Sequence, residues 1–127
     1  MQIRKLSLPV IAAALATVIF APQTQAGDAA EGKKIFNKCR ACHVADQETN
    51  RVGPHLVAIV GRKAASVDGF KYSAAMKSAS EKGLVWTEEN IAKYMKDPKN
   101  FVPGNRMAFV GLKKDQDIED LIAFLKK

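Results

Sequence analysis

Apolar residues recur at helical intervals in several stretches of this chain, and no stretch alternates as a strand would. Ile118, Leu121, Ile122 and Leu125 stand at i, i+3, i+4 and i+7, one continuous stripe. Asp115 is placed to cap that helix, and Lys126 and Lys127 put positive charge in its last turn, where the helix dipole favours it. Ile91, Tyr94 and Met95 form the buried face of a second helix. It starts at Thr87, carries Glu88 and Glu89 in its first turn, and stops at Asp97-Pro98, because the residue before proline avoids helical angles. A third helix is predicted from Asp28 to Lys38, with Ile35 and Phe36 inward and with Asp28 and Glu31 spaced as a capping box. A weaker helix covers Ser73 to Ala79. Gly32 is out of place inside the third helix, where glycine costs about 1 kcal/mol relative to alanine. A glycine kept at that cost points to another backbone passing close by.

Turn-forming pairs separate these helices: Gly53-Pro54, Asp68-Gly69 and Pro103-Gly104, with Gly61 between. The pattern predicts an all-α fold in which long loops make up about half of the chain. Such loops are unusual in a small domain held by side chains alone. They become reasonable when they wrap a large apolar object.

The first residues belong to something else. Arg4 and Lys5 precede an apolar run from Leu6 to about Ala21, and PQTQA follows, with Thr24 and Ala26 as the small residues of a cleavage site. This is the layout of a secretory leader, residues 1–26, and it predicts export to the periplasm. A retained membrane anchor is the competing reading, but the run falls short of the roughly 20 residues that span a bilayer and Pro9 interrupts it. Residues 27–127 then form one domain of modest core. The full chain has a net charge of +7; loss of Arg4 and Lys5 leaves 18 Lys and Arg against 13 Asp and Glu, or +5. No groove-reading motif accompanies this charge, which argues against nucleic acid as a partner. No carboxylate dyad or nucleophile–base pair is visible, so the sequence does not read as an enzyme.

Residues 39–43, CRACH, hold both cysteines of the chain. A disulfide between Cys39 and Cys42 would close only a tiny loop. A thioredoxin-like dithiol needs a βαβ setting that is missing here. Zinc could draw on Cys39, Cys42, His43 and His55, but adjacent Cys42 and His43 do not easily face one ion. There remains covalent haem, for which Cys-x-x-Cys-His is the attachment pattern and His43 the axial ligand. Met107, in the turn-rich loop PGNRMAF, supplies a second candidate ligand 64 residues beyond His43. Met95 lies on a helical stripe and reads as core, and Met76 falls in a short polar helix.

At this point the residues resemble a family. GDAAEGKKIFNKCRACH, VGPHLVAIVGRKA, GFKYSAAM, LVWTEENIAKYMKDPKNFVPGNRMAF and DLIAFLKK occur in the order and near the spacing of the class I cytochromes c. The likeness is to their small mitochondrial-like and bacterial c2-like members, over almost all of residues 27–127. The resemblance implies one haem c joined by thioethers to Cys39 and Cys42, with His43 and Met107 on the iron. It makes Pro54 the acceptor of the proton on the other ring nitrogen of His43. It places Arg62, Tyr72 and Trp86 near the haem propionates, Tyr94 near the methionine, and Gly32 and Phe36 where the first and last helices cross, near Leu121 and Phe124. Two positions depart: Asn105 stands where the family usually has threonine, and Met76 where many relatives have asparagine. His55 reads as a solvated loop residue.

With both axial positions filled by protein, such a haem changes only its electron count. The implied function is a monomeric, diffusible one-electron carrier. Lys34, Lys38, Lys99, Arg106, Lys113 and Lys114 would surround the exposed haem edge and steer it to acidic docking surfaces. A bc1-type complex is the implied donor, an oxidase, photosynthetic reaction centre or periplasmic reductase the acceptor, with transient membrane-surface association. The competing function is a gas-binding or peroxide-reactive haem protein with a labile methionine.

Overall fold

The computed structural model describes residues 16–21 and 26–127. The expected leader lies largely outside the described residues; of it, 16–21 have no regular structure, and Val18, Ile19 and Phe20 are exposed. Among the described residues no helix is long and apolar enough to cross a membrane. The described residues form five helices: α1 (Ala29–Phe36), α2 (Ala74–Glu81), α3 (Glu88–Lys96), α4 (Pro98–Phe101) and α5 (Asp115–Leu125). The described residues contain no strand and a single antiparallel bridge, Lys63 with Val85. The fold is all-α, as the pattern predicted.

The helix starts show where local sequence rules act and where tertiary contacts replace them. Ser73 caps α2 by accepting from Met76 N, and Thr87 caps α3 by accepting from Asn90 N, both at 3.1 Å. Asp28 caps α1, accepting from the backbone N–H groups of Ala30 and Glu31 at 2.7 and 3.2 Å. The reciprocal half of the expected capping box is absent, because Glu31 pairs with Lys34 at 2.6 Å. The Asp28 N–H donates instead to Asp120 Oδ1 at 2.7 Å, so α5 closes the start of α1. Asp115 does not cap α5. Lys114 takes the cap position without a side-chain bond, and Asp115, one residue inside, binds the Lys96 ammonium. The expected stop at Asp97-Pro98 is also a start. Asp97 caps the single turn of α4, with Pro98 at its first position, where the missing N–H costs nothing.

Helices α1 and α5 cross at Gly32. A Cβ there would stand 1.9 Å from the carbonyl oxygen of Asp120 and 2.8 Å from Phe124 Cβ, so hydrogen alone fits. The Phe36 and Phe124 rings meet beside the crossing at 5.2 Å. Leu121 and Ile118 are buried beneath it, α5 continues onto α3, and α3 onto α4. Helix α2 packs against none of the other helices. It is held through loops, and those loops line the interior.

Candidate functional site

The backbone keeps coiling after α1. Cys39 N and Arg40 N donate to the Phe36 carbonyl at 2.8 and 3.1 Å, and Cys42 N and His43 N donate to the Cys39 carbonyl at 3.0 and 2.9 Å. These turns bring both thiols and the imidazole to the wall of one cleft of about 460 Å³. The thiols are half-buried and not joined to each other. Burial pushes the Cys39 thiol up, with the neighbouring Cys42 adding to the effect.

His43 Nδ1 lies 2.8 Å from the Pro54 carbonyl oxygen. A carbonyl can only accept, so Nδ1 carries the proton and Nε2 keeps its lone pair. Burial lowers the pKa of His43, the charge of Arg62 adds to the effect, and the Pro54 bond opposes both. The neutral ring is favoured, and among the described residues Nε2 makes no hydrogen bond. Gly53 leaves the space in which this ring sits: a Cβ there would fall 2.3–2.9 Å from three ring atoms.

The ten residues that the resemblance assigns to the haem site all line this cleft: Cys39, Cys42, His43, Pro54, Arg62, Tyr72, Trp86, Tyr94, Asn105 and Met107. Their polar groups differ in what they have left to offer. Arg62 donates to the carbonyls of Val57 and His55 at 3.0 and 2.9 Å, which uses two of its five N–H donors. Tyr72 accepts from Val67 N at 3.1 Å and retains its own hydroxyl proton. Trp86 is buried with its ring 4.9 Å from that of Tyr94. Burial pushes the Tyr94 phenol up to about 12, so it stays neutral at physiological pH. Asn105 donates to the carbonyls of Pro98 and Val102, each at 2.9 Å, and accepts from Met107 N at 2.9 Å.

Two expectations need revision, those for Met95 and His55. Met76 and Met95 join Met107 on the wall, so Met95 serves the cleft as well as the core. His55 is half-buried rather than solvated; it lies off the cleft, and its Nδ1 accepts from Val57 N. Of the six cations expected around an exposed edge, Lys38 and Arg106 line the cleft, and Lys63 and Lys71 line it too. Lys34 pairs with Glu31, and Lys99, Lys113 and Lys114 are exposed. Leu56, Ile59 and Phe70 add to the apolar lining. They escaped sequence analysis because isolated apolar residues in loops carry no period.

Among the described residues no group of three or more His, Cys, Asp and Glu could hold a metal ion, so the zinc reading has no site. An apolar cleft with paired thiols, a neutral imidazole cradled by glycine and a thioether on its wall fits a flat apolar cofactor with a metal at its centre.

The family model for cytochrome c matches residues 29–127. The chain belongs to the cytochrome c family. It is 49% identical over 104 residues to a cytochrome c2 of Afifella marina, covering 80% of this chain and 84% of that one. Among solved structures, cytochrome cH from Methylobacterium extorquens superposes with a TM-score of 0.72 at 42% identity, over 79% of this chain and 98% of that one. Cytochrome c2 from Rhodospirillum centenum superposes with a TM-score of 0.73 at 39% identity, over 79% and 97%. The cofactor is covalently bound haem c, and Cys39 and Cys42 supply the motif for it. The protein is an electron carrier and not an enzyme. The gas-binding or peroxide-reactive alternative finds no support in these relatives.

Proposed function

We propose that residues 27–127 form a periplasmic one-electron shuttle whose haem iron is held by His43 Nε2 and Met107 sulfur, with Cys39 and Cys42 as its thioether anchors. Residues 1–26 are then its cleaved export leader. The observation that carries the reading is the meeting of His43 and Met107 on the wall of one cleft with both thiols. Haem supplies a reversible one-electron change at iron, and a soft thioether ligand favours the ferrous state. The chain does the rest. The Pro54 carbonyl fixes the imidazole tautomer and aim. Leu56, Ile59 and Phe70 keep water from the cofactor. Arg62, Tyr72 and Trp86 sit where carboxylates of the cofactor would need partners, since a buried carboxylate is costly without them.

Met107→Ala tests the axial assignment. The iron–sulfur charge-transfer band of the oxidised protein should vanish. The reduction potential should fall by at least ~0.1 V, within the ~0.8 V range that axial ligands command. Met76→Ala and Met95→Ala should both keep the band. Loss of the band in either of these, with retention in Met107→Ala, would move the ligand to the other sulfur.

The carrier works as a monomer between a bc1-type donor and an oxidase, reaction-centre or periplasmic-reductase acceptor, with transient membrane-surface association. Lys38 at the mouth of the cleft is the docking residue to test. Lys38→Glu should slow second-order transfer about threefold or more at low salt, and the gap should close as salt rises, because the Debye length shrinks to ~3 Å at 1 M. Lys127→Glu, at an exposed chain position, is the matched control. Equal slowing by both substitutions would assign the effect to net charge and remove the local docking face.

A further inference from the structure

The loop that carries Met107 is fastened to the rest of the molecule at few points. Phe109 N donates to the Met107 carbonyl at 2.9 Å, within the loop itself. Beyond that, Leu112 N donates to the Met95 carbonyl at 2.8 Å, and Gly111 lies so near Lys96 that a Cβ would stand 2.5 Å from its carbonyl oxygen. That clamp holds the outgoing side. On the incoming side Asn105 N donates to the Val102 carbonyl at 3.1 Å. The other fastening there is the Asn105 side chain, which binds three backbone groups at once. Its amide nitrogen spans the carbonyls of Pro98 and Val102, at the start of α4 and just past its end, and its amide oxygen receives the N–H of Met107. Both amide hydrogens are used in this way, which leaves none for the cofactor.

We propose that Asn105 is the positioning residue for Met107: it ties the backbone of the methionine to α4 and so sets how readily the thioether leaves the iron. This rests on the reading of Met107 as the axial ligand. Three bonds converge on one side chain, and two of the three backbone partners belong to, or directly follow, a helix packed against α3. An asparagine does here what a smaller hydroxyl could do only in part, since one O–H cannot span both carbonyls. The neighbouring residues Arg106 and Ala108 are exposed, and the loop packs on the core only through Met107 itself and Phe109.

The test measures imidazole binding to the oxidised, haem-loaded protein. At high imidazole the rate saturates at the rate of thioether release. Asn105→Ala should raise that limit about tenfold or more, the equivalent of one to two lost hydrogen bonds. The charge-transfer band should also disappear at lower temperature than global unfolding, a separation that general destabilisation would not produce. Asn105→Asp keeps an acceptor for Met107 N but sets a carboxylate against the Pro98 and Val102 carbonyls. It should fold and lie between wild type and Asn105→Ala, and it carries the test alone if the alanine variant does not fold. Asn100→Ala, at an exposed side chain of α4, should leave the limit unchanged. Limits within twofold of wild type in both Asn105 variants, with fast open-site binding in Met107→Ala, would overturn the positioning role alone. Unchanged binding in Met107→Ala would overturn the ligand assignment and this inference with it.

Discussion

Chain in which both Cys39 and Cys42 are replaced by alanine is expected to carry no covalent haem and to be mostly unfolded. The loops between α1 and α3 give the core Ile59, Ala64 and Trp86, and much of their remaining apolar surface lines the cleft. Helix α2 touches no other helix, and Leu56, Ile59, Phe70 and Met76 all face that space. Without a covalently fixed apolar partner, these side chains would be left facing water. Domains of this size hold only ~5–15 kcal/mol of stability in total, so losing one partner common to so many side chains is enough to unfold the chain. Far-UV circular dichroism should show little helix, and acidic organic extraction of the wild type should leave haem with the polypeptide. Native helix content in the haem-free double variant, or free haem in the solvent from wild type, would falsify the claim.

Gly32→Ala should be the most damaging single-methyl change in the molecule. In an isolated helix the substitution would help by about 1 kcal/mol. Here the added carbon would stand 1.9 Å from the Asp120 carbonyl oxygen, and backbone cannot swing aside as a flexible side chain can. The helices must separate, which strains the Asp28–Asp120 bond and the Phe36–Phe124 contact together. Overpacking of this kind costs ~1–3 kcal/mol or more. A loss near the upper end lowers the melting temperature by roughly 10 °C or more for a domain of this size. The band reporting the Met107 bond should survive at room temperature, because the crossing lies outside the methionine loop. A melting temperature at or above that of wild type would show that the crossing has slack.

Sequence analysis reached this glycine because its cost in a helix demanded a reason, and only close approach supplies one. It reached Thr87 and Ser73 because a cap is a local device. It failed at Asp115 and Glu31, where the local rule was sound but a distant partner intervened. Lys96 claims Asp115 across 19 residues, and Asp120 takes the place reserved for Glu31 across 92. It missed α4 because Asp97-Pro98 was read only as an end, although aspartate followed by proline is also a helix start. In the site, the thiols, the imidazole and the loop methionine were legible from spacing and turn chemistry. The wall formed by Lys63, Lys71, Met95 and Phe70 was not, because only the closed fold brings those loops together.

The bond from Asp28 to Asp120 has a further meaning during synthesis. At ~5–20 residues per second, the two partners leave the ribosome roughly 5 to 20 s apart. For all that time α1 lacks the surface that buries Gly32 and Phe36, and a lone helix of 8 residues is too short to persist in water. The nascent chain thus has no route to early closure. Until α5 arrives α1 has nothing to dock on, and CRACH, immediately behind α1, stays accessible to whatever joins the haem to it.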